Sequence, residues 1–264
     1  MTGDQPLARK VALVTGSSSG AGAAIALELA RRGATIAVHC RSHMEEAEAI
    51  VRRIVDAGGR AAPFQADLAH DDATQKLAAN VEGTMGVIQI LVNNAGPFAD
   101  TPFRSLKPEV WDAIMATNLK APYLLAQATA PAMERLGWGR IINIGATSGF
   151  VRTHSVYGLA KAALLTLTES LALELAPHIT VNAVVPSQIA SPRTDTMPAY
   201  KDAAIAGTPL GRLVQEEEIA RVVALICSAE LEFMTGRAIV LDGGRALPRF
   251  PRLTLPDAGD LSSS

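Results

Sequence analysis

The chain has 264 residues, 48% of them hydrophobic and 19% charged, which is enough apolar side chain for one large α/β domain and its core. Lys and Arg number 24 against 26 Asp and Glu, a formal net charge of -2, and the two signs are mixed along the chain; this gives no electrostatic basis for binding nucleic acid or an anionic membrane surface. Cys40 and Cys227 lie far apart in apolar runs, the N-terminal Met-Thr-Gly-Asp-Gln-Pro carries no signal pattern, and no apolar run reads as a bilayer span, so the expectation is a cytoplasmic protein without disulfides or metal and with a small-molecule partner.

Short β-branched runs alternate with longer Ala/Leu/Glu/Arg stretches, the pattern of βαβ units on a parallel sheet. Strands are expected near Lys10 to Val14, Thr35 to His39, Ala61 to Gln65, Ile88 to Val92, Arg140 to Ile144, Thr180 to Val184 and Ala238 to Leu241. Runs such as Val-Ala-Leu-Val lack alternation, so both faces of the sheet are expected to be covered by helices. The fold class is therefore α/β, a single doubly wound, Rossmann-type parallel sheet of seven strands. Pro186 to Gln215, broken by prolines and glycines, reads as a loop-rich lid, and Pro248 to Ser264 as a tail beyond a domain of residues 1–247.

The first strand runs into Thr15-Gly16-Ser17-Ser18-Ser19-Gly20-Ala21-Gly22 and then a helical pattern. Glycines permit a tight turn and close backbone approach, and the helix start offers unpaired N–H groups to a pyrophosphate. Gly16, Ser18, Ser19, Gly20, Ala21 and Gly22 are thus candidate nucleotide-binding residues, although Gly-x3-Gly-x-Gly departs from the Gly-x-Gly-x-x-Gly fingerprint and ordinary turns also carry glycines. The second strand ends in His39-Cys40-Arg41-Ser42, where the adenosine ribose is expected. An arginine beside a serine suits a 2′-phosphate, so the cofactor reads as NADP(H); the plainer reading of Arg41 is a solvated strand end.

Tyr157 and Lys161 are one helical turn apart and project from one face. An ammonium beside a phenol favours the phenolate, so the spacing predicts a tyrosine that titrates below its ordinary value of about 10 and works as an acid.

Taken together these segments resemble the short-chain dehydrogenase/reductase family, from about Lys10 to Gly244. Beyond the glycine loop, the resemblance rests on Asp67-Leu68, Asn93-Asn94-Ala95-Gly96, Asn118, Tyr157-x3-Lys161 and Leu241-Asp242-Gly243-Gly244. Pro209-Leu-Gly-Arg212 is similar to the 3-oxoacyl-carrier-protein reductase group, and His39-Cys-Arg41-Ser42 to pteridine reductases; both groups use NADPH. The resemblance implies that Tyr157 is the general acid/base, that Lys161 depresses its pKa and binds the nicotinamide ribose, and that Asn118 holds a relay water. It further implies that Asp67 and Leu68 meet the adenine, with Asn94, Ala95 and Gly96 lining the cofactor, Pro186 to Ile189 facing the carboxamide and Ser191 near the pyrophosphate. Family members commonly form homotetramers through helices that here run near Asn118 to Leu136 and Tyr157 to Ala176.

Two departures stand out. Aligned on Ile142-Asn143-Ile144, the family's carbonyl-polarising serine becomes Ala146, and the loop to Tyr157 is shortened. Thr147 is the first candidate to replace that hydroxyl, ahead of Ser148 and Ser155; all three are also ordinary turn or cap residues. After the sixth strand the family's Pro-Gly becomes Pro186-Ser187. The expected function is an NADP(H)-dependent ketoreductase acting on a carbonyl/alcohol pair, with Pro97, Phe98, His154 and Arg193 to Tyr200 bordering the substrate; the alternative that Ala146 leaves open is a nucleotide-binding regulatory or non-redox protein.

Overall fold

Each central strand sends alternate side chains to opposite faces, and both faces are buried. In β1 (Val11–Val14), Ala12 and Val14 join one core while Val11 and Leu13 join the other. β4 (Ile88–Asn93) divides likewise, Ile90 and Val92 against Ile88 and Leu91. Strands buried on both faces read as unbroken apolar runs for this reason.

The structure is a computed structural model that describes residues 5–99, 101–151 and 155–247; the expected tail from residue 248 onward and His154 lie outside the described residues. The remaining strands are β2 (Thr35–Cys40), β3 (Arg60–Gln65), β5 (Gly139–Ile144), β6 (Ile179–Pro186) and β7 (Ala238–Leu241). All seven pair parallel in the order β3-β2-β1-β4-β5-β6-β7. The order reverses between β1 and β4, which opens a crevice at their C-terminal ends.

The helices are α1 (Gly20–Arg31), α2 (Met44–Asp56), α3 (Asp71–Met85), α4 (Pro108–Met115), α5 (Ala121–Arg135), α6 (Val156–Glu174), α7 (Pro192–Asp195), α8 (Pro198–Ala206) and α9 (Glu216–Ile226). One core holds α1, α2 and α9 against the sheet; the other holds α3, α5 and α6. A third cluster, Ile114, Val156 and Ala160, packs α4 on α6 and takes in Tyr157.

One expectation is refined and another corrected. The segment from Pro186 to Gln215 is rich in loop, as expected, but it also carries two short helices: Ser191 caps α7 through a capping box with Thr194, and a proline opens both α7 and α8, so these short helices are set by their caps rather than by an apolar period. α6 is also long and apolar enough to pass for a membrane span by length and composition, contrary to the sequence reading. It packs instead against the sheet, the turn before it and α4, which makes it a core helix that carries Lys161 inward.

Candidate active site

The glycine loop follows β1 directly. Gly16 and Gly20 take left-handed backbone at φ 63° and 58°. At Gly22 a Cβ would stand 2.2 Å from Gly16 O and 2.5 Å from Asn94 Nδ2, so only glycine lets α1 start against the loop. Asn94 fastens that approach, its Nδ2 donating to Thr15 O at 2.9 Å and Gly16 O at 3.1 Å. The Thr15 hydroxyl accepts from the Asn94 and Ala95 N–H groups, both at 3.0 Å. No side chain caps α1 at Ser19, which leaves its first N–H groups and positive dipole end open to an anion.

Beside the loop lies a cleft of about 550 Å³. Gly16, Arg41, Asp67 and Leu68 border it from the β1–β3 side, and Asn94, Ala95, Gly96 and Pro97 from the end of β4. Asp67 is held in an Asx turn by the Ala69 N–H. Ser18, Ser19 and Gly20 border a different cleft, between α1 and α9, and Ser42 Oγ lies 3.3 Å from His43 Nδ1. These four were expected with the first group, and the cleft wall does not include them. Pro186 closes β6, Ile189 bridges to Val214, and the Ser191 hydroxyl is engaged as the α7 cap; Gln188 Oε1 between them is buried with no partner among the described residues.

Ser155 caps α6, its Oγ accepting from Gly158 N at 3.0 Å, and Tyr157 sits in the first turn. One turn on, Lys161 is buried and donates from Nζ to Ile144 O at 2.8 Å, at the end of β5. Nζ stands 5.6 Å from the centre of the Tyr157 ring. Burial pushes the Tyr157 phenol up to about 12 and the Lys161 ammonium down to about 8. The expected depression of the tyrosine is therefore reversed: helical spacing brings the two together, but desolvation outweighs the partial approach of a cation tied to a carbonyl.

Beneath them runs a buried polar chain in which Asn93 Nδ2 donates to Asn143 Oδ1, Asn143 Nδ2 to Thr168 Oγ1, and Thr168 Oγ1 to Leu164 O. It locks β4, β5 and α6 in register under the site. Asn118 lies on a π-helical turn, Ala116–Lys120, inserted between α4 and α5. Such a turn re-aims a side chain within a continuous helix. Its Nδ2 donates to Pro97 O and Ile114 O, both at 3.1 Å, and its Oδ1 is buried with no partner among the described residues. Gly96 makes room for it, since a Cβ there would stand 2.2 Å from Asn118 Oδ1.

After β5, Ala146 precedes a 3₁₀ turn, Thr147–Gly149, that packs on α6. Gly149 lies over the Lys161–Ala162 backbone, where a Cβ would come within 3.1 Å. The three candidate hydroxyls differ in state. Ser155 is committed to its cap; Ser148 Oγ is sealed from solvent with no partner among the described residues; Thr147, 9% exposed, makes no side-chain hydrogen bond among them and is not sealed off.

With this geometry in hand, the comparisons with known proteins are direct. The sequence pattern of the family described as Enoyl-(Acyl carrier protein) reductase matches residues 16–246. The 3-oxoacyl-[acyl-carrier-protein] reductase FabG of Staphylococcus aureus (strain N315) is 38% identical over 239 residues, 89% of this chain and 97% of the relative. The chain belongs to the short-chain dehydrogenase/reductase family. Solved structures of the family superpose closely. A gluconate 5-dehydrogenase from Burkholderia cenocepacia J2315, in complex with NADP and tartrate, gives a TM-score of 0.85 at 31% identity, covering 92% of this chain and 97% of that one. A blue fluorescent protein from a metagenomic library, in complex with NADPH, gives 0.87 at 33% identity, covering 91% and 99%.

Several parts of this short-chain dehydrogenase/reductase site escaped the sequence reading: the Thr15 hydroxyl, the π turn under Asn118, the Asn93–Asn143–Thr168 chain, and His39, whose ring is enclosed between the glycine loop and the end of β3. Buried polar side chains at strand ends were the available signal.

Proposed function

We propose that this protein is an NADP(H)-dependent oxidoreductase that reduces a ketone to an alcohol, with Tyr157 as general acid. The observation that carries the reading is the pair Tyr157 and Lys161, one turn apart on α6, with Lys161 bonded to the end of β5 and Tyr157 against Phe98 after β4. The residues fit a dinucleotide: Gly22 and Asn94 draw the loop tight, the start of α1 is uncapped, and Arg41 stands at the cleft for a 2′-phosphate. The NADP and NADPH in the solved relatives support the same cofactor.

When bound, the nicotinamide supplies or accepts a hydride. Tyr157, protonated across the physiological range because burial holds its phenol at about 12, gives its proton to the oxygen that becomes the alcohol. Lys161 holds the nicotinamide ribose and returns a proton to the phenolate. Asn118 Oδ1, buried and without a partner among the described residues, accepts from the water that links Lys161 to solvent. Thr147 takes the place of the family's serine in donating to the substrate carbonyl, since its hydroxyl alone of the three is neither committed nor sealed.

We infer a single catalytic domain through residue 247 and a cytoplasmic setting, where thiols such as Cys40 and Cys227 stay reduced. A homotetramer is proposed from two exposed apolar faces, one on α5 and α6 with Tyr123, Leu159 and Leu173, the other near β7 with Leu225, Phe233 and Val240. Light scattering on the full chain tests it; a stable monomer contradicts it.

NADPH oxidation against a panel of ketones and quinones tests the main reading. Tyr157→Phe is expected to abolish turnover and leave NADPH binding intact, and retained turnover refutes the acid role. Arg41→Ala is expected to erase a preference for NADPH over NADH. Ala146 favours one second reading, a nucleotide-binding protein without redox turnover; tight NADPH binding with no carbonyl compound reduced supports it instead.

A further inference from the structure

We propose that His39 is the positioning residue of the adenosine half of the nucleotide cleft, a staple that holds the glycine loop against the end of β3. The Gly16 N–H donates to His39 Nδ1 at 2.9 Å, and His39 Nε2 lies 3.0 Å from Ala66 O. A backbone N–H can only donate and a carbonyl can only accept, so these partners fix the ring chemistry: Nδ1 is the bare acceptor and Nε2 carries the hydrogen. The ring is 2% exposed, and both of its nitrogens are satisfied. It therefore joins three consecutive sheet positions, the loop after β1, the end of β2 and the end of β3, at contacts that span 23 and 27 residues of sequence.

The staple has a direct consequence for the ligand. Gly16 and Ala66 both border the cleft, with Arg41 and Asp67 beside them, so the imidazole braces the wall that faces the pyrophosphate against the wall that faces adenine, in addition to the backbone bonds that run through β2. It also turns the Gly16 N–H toward protein rather than toward an anion, which leaves the phosphate to the start of α1. Two backbone-level contacts at the same place survive any substitution: Ser17 N donates to His39 O at 2.9 Å, and His39 N donates to Ser17 Oγ at 3.0 Å. These hold the loop to β2 only. The end of β2 is joined onward to β3 by their own pairing, with Ala66 N donating to Cys40 O at 3.1 Å; what the ring adds is the side-chain bridge that runs from the Gly16 N–H to Ala66 O. Burial keeps the imidazole down at about 4, so it stays neutral, and its acceptor intact, at physiological pH.

The inference rests on the nucleotide reading of this cleft, and the test separates the two. NADPH and adenosine 2′,5′-bisphosphate are titrated against the full-length wild type and His39→Phe, His39→Asn and His39→Gln, with kcat measured at saturating NADPH. His39→Phe is expected to weaken both ligands about tenfold, the loss appropriate to one or two neutral hydrogen bonds, with kcat within about twofold. Asn carries an amide oxygen near the Nδ1 position and is expected to recover affinity to within about threefold. Gln reaches toward Ala66 but leaves the Gly16 N–H unpaired, and is expected to behave like Phe. Equal affinity of wild type and His39→Phe overturns the staple. Should His39→Phe fail to fold, the Asn and Gln variants decide, and equal affinities for those two overturn it. Failure of the wild type itself to bind NADPH refutes the nucleotide reading and, with it, the staple's role.

Discussion

Phe98 stands edge-on to Tyr157, ring centroids 5.1 Å apart and planes at 73°. Phe98 is 50% exposed, so under the proposed mechanism it both borders Tyr157 and offers apolar surface to the substrate. An edge-to-face pair contributes about 0.5–1.5 kcal/mol beyond its burial, or roughly a twofold to tenfold effect. Phe98→Ala is expected to raise the ketone KM by about that factor, with a smaller fall in kcat. Phe98→Leu, which keeps apolar cover but loses the ring edge, is expected to fall between. Steady-state kinetics at saturating NADPH measures both, and an unchanged KM in Phe98→Ala contradicts the contact's role.

The ionisations of Tyr157 and Lys161 give the pH profile a definite sign. Burial holds Lys161 down to about 8 and the phenol up to about 12, so as pH rises the lysine loses its charge first. kcat/KM for NADPH reports the free enzyme, and it is expected to fall as pH rises through about 8 while the phenol is still protonated. Lys161→Met is expected to be slow at every pH and to lack this limb. A wild-type profile flat from pH 7 to 10 contradicts the assignment.

Replacement of the family's serine makes the third prediction. Loss of one donor to a developing oxyanion costs about 10²–10³ in rate, so Thr147→Ala is expected to lower kcat by about that factor without weakening NADPH. Ser148→Ala removes a hydroxyl that has no partner among the described residues and is expected to leave kcat within about threefold and stability unchanged or higher. Adding Ala146→Ser to Thr147→Ala is expected to recover at least about tenfold of the loss, because it restores a hydroxyl at the strand end. Turnover of Thr147→Ala equal to wild type removes Thr147 from the mechanism.

How legible the molecule was follows from which forces act locally. The strands were legible because burial on both faces demands runs such as Val11–Val14, and each observed strand lies within a few residues of its expected position. Gly16, Gly20 and Gly22 were legible because only glycine meets the backbone and contact requirements there. α7 and α8 were not, since a single capping box and opening prolines specify helices too short to show a period. The ionisation of Tyr157 was misread because spacing reports who is near, whereas desolvation is decided by packing from α4 and the Phe98 ring. His39 was read only as part of the segment that ends β2. Its role depends on Gly16 and Ala66, which are remote in sequence and become neighbours only once β1, β2 and β3 have paired.

That enclosed imidazole also makes stability depend on pH in a way specific to one residue. The folded pKa of His39, about 4, lies below its ordinary value of 6.5, with burial as the main cause and the Ala66 contact and Asp67 pulling the other way. For a depressed pKa the unfolded chain binds the proton first, so the stability contribution is present above pH 6.5 and is lost as pH falls through about 4. Across that window the loss approaches about 3 kcal/mol at 1.36 kcal/mol per unit. Carboxylates titrate in the same range, so the comparison with His39→Asn isolates the imidazole: denaturant unfolding at pH 7 and at pH 4.5 is expected to show the wild type losing about 2 kcal/mol more than the variant. Equal losses mean that the buried ring already accepts a proton in the folded protein, and that the Gly16 N–H is not its partner.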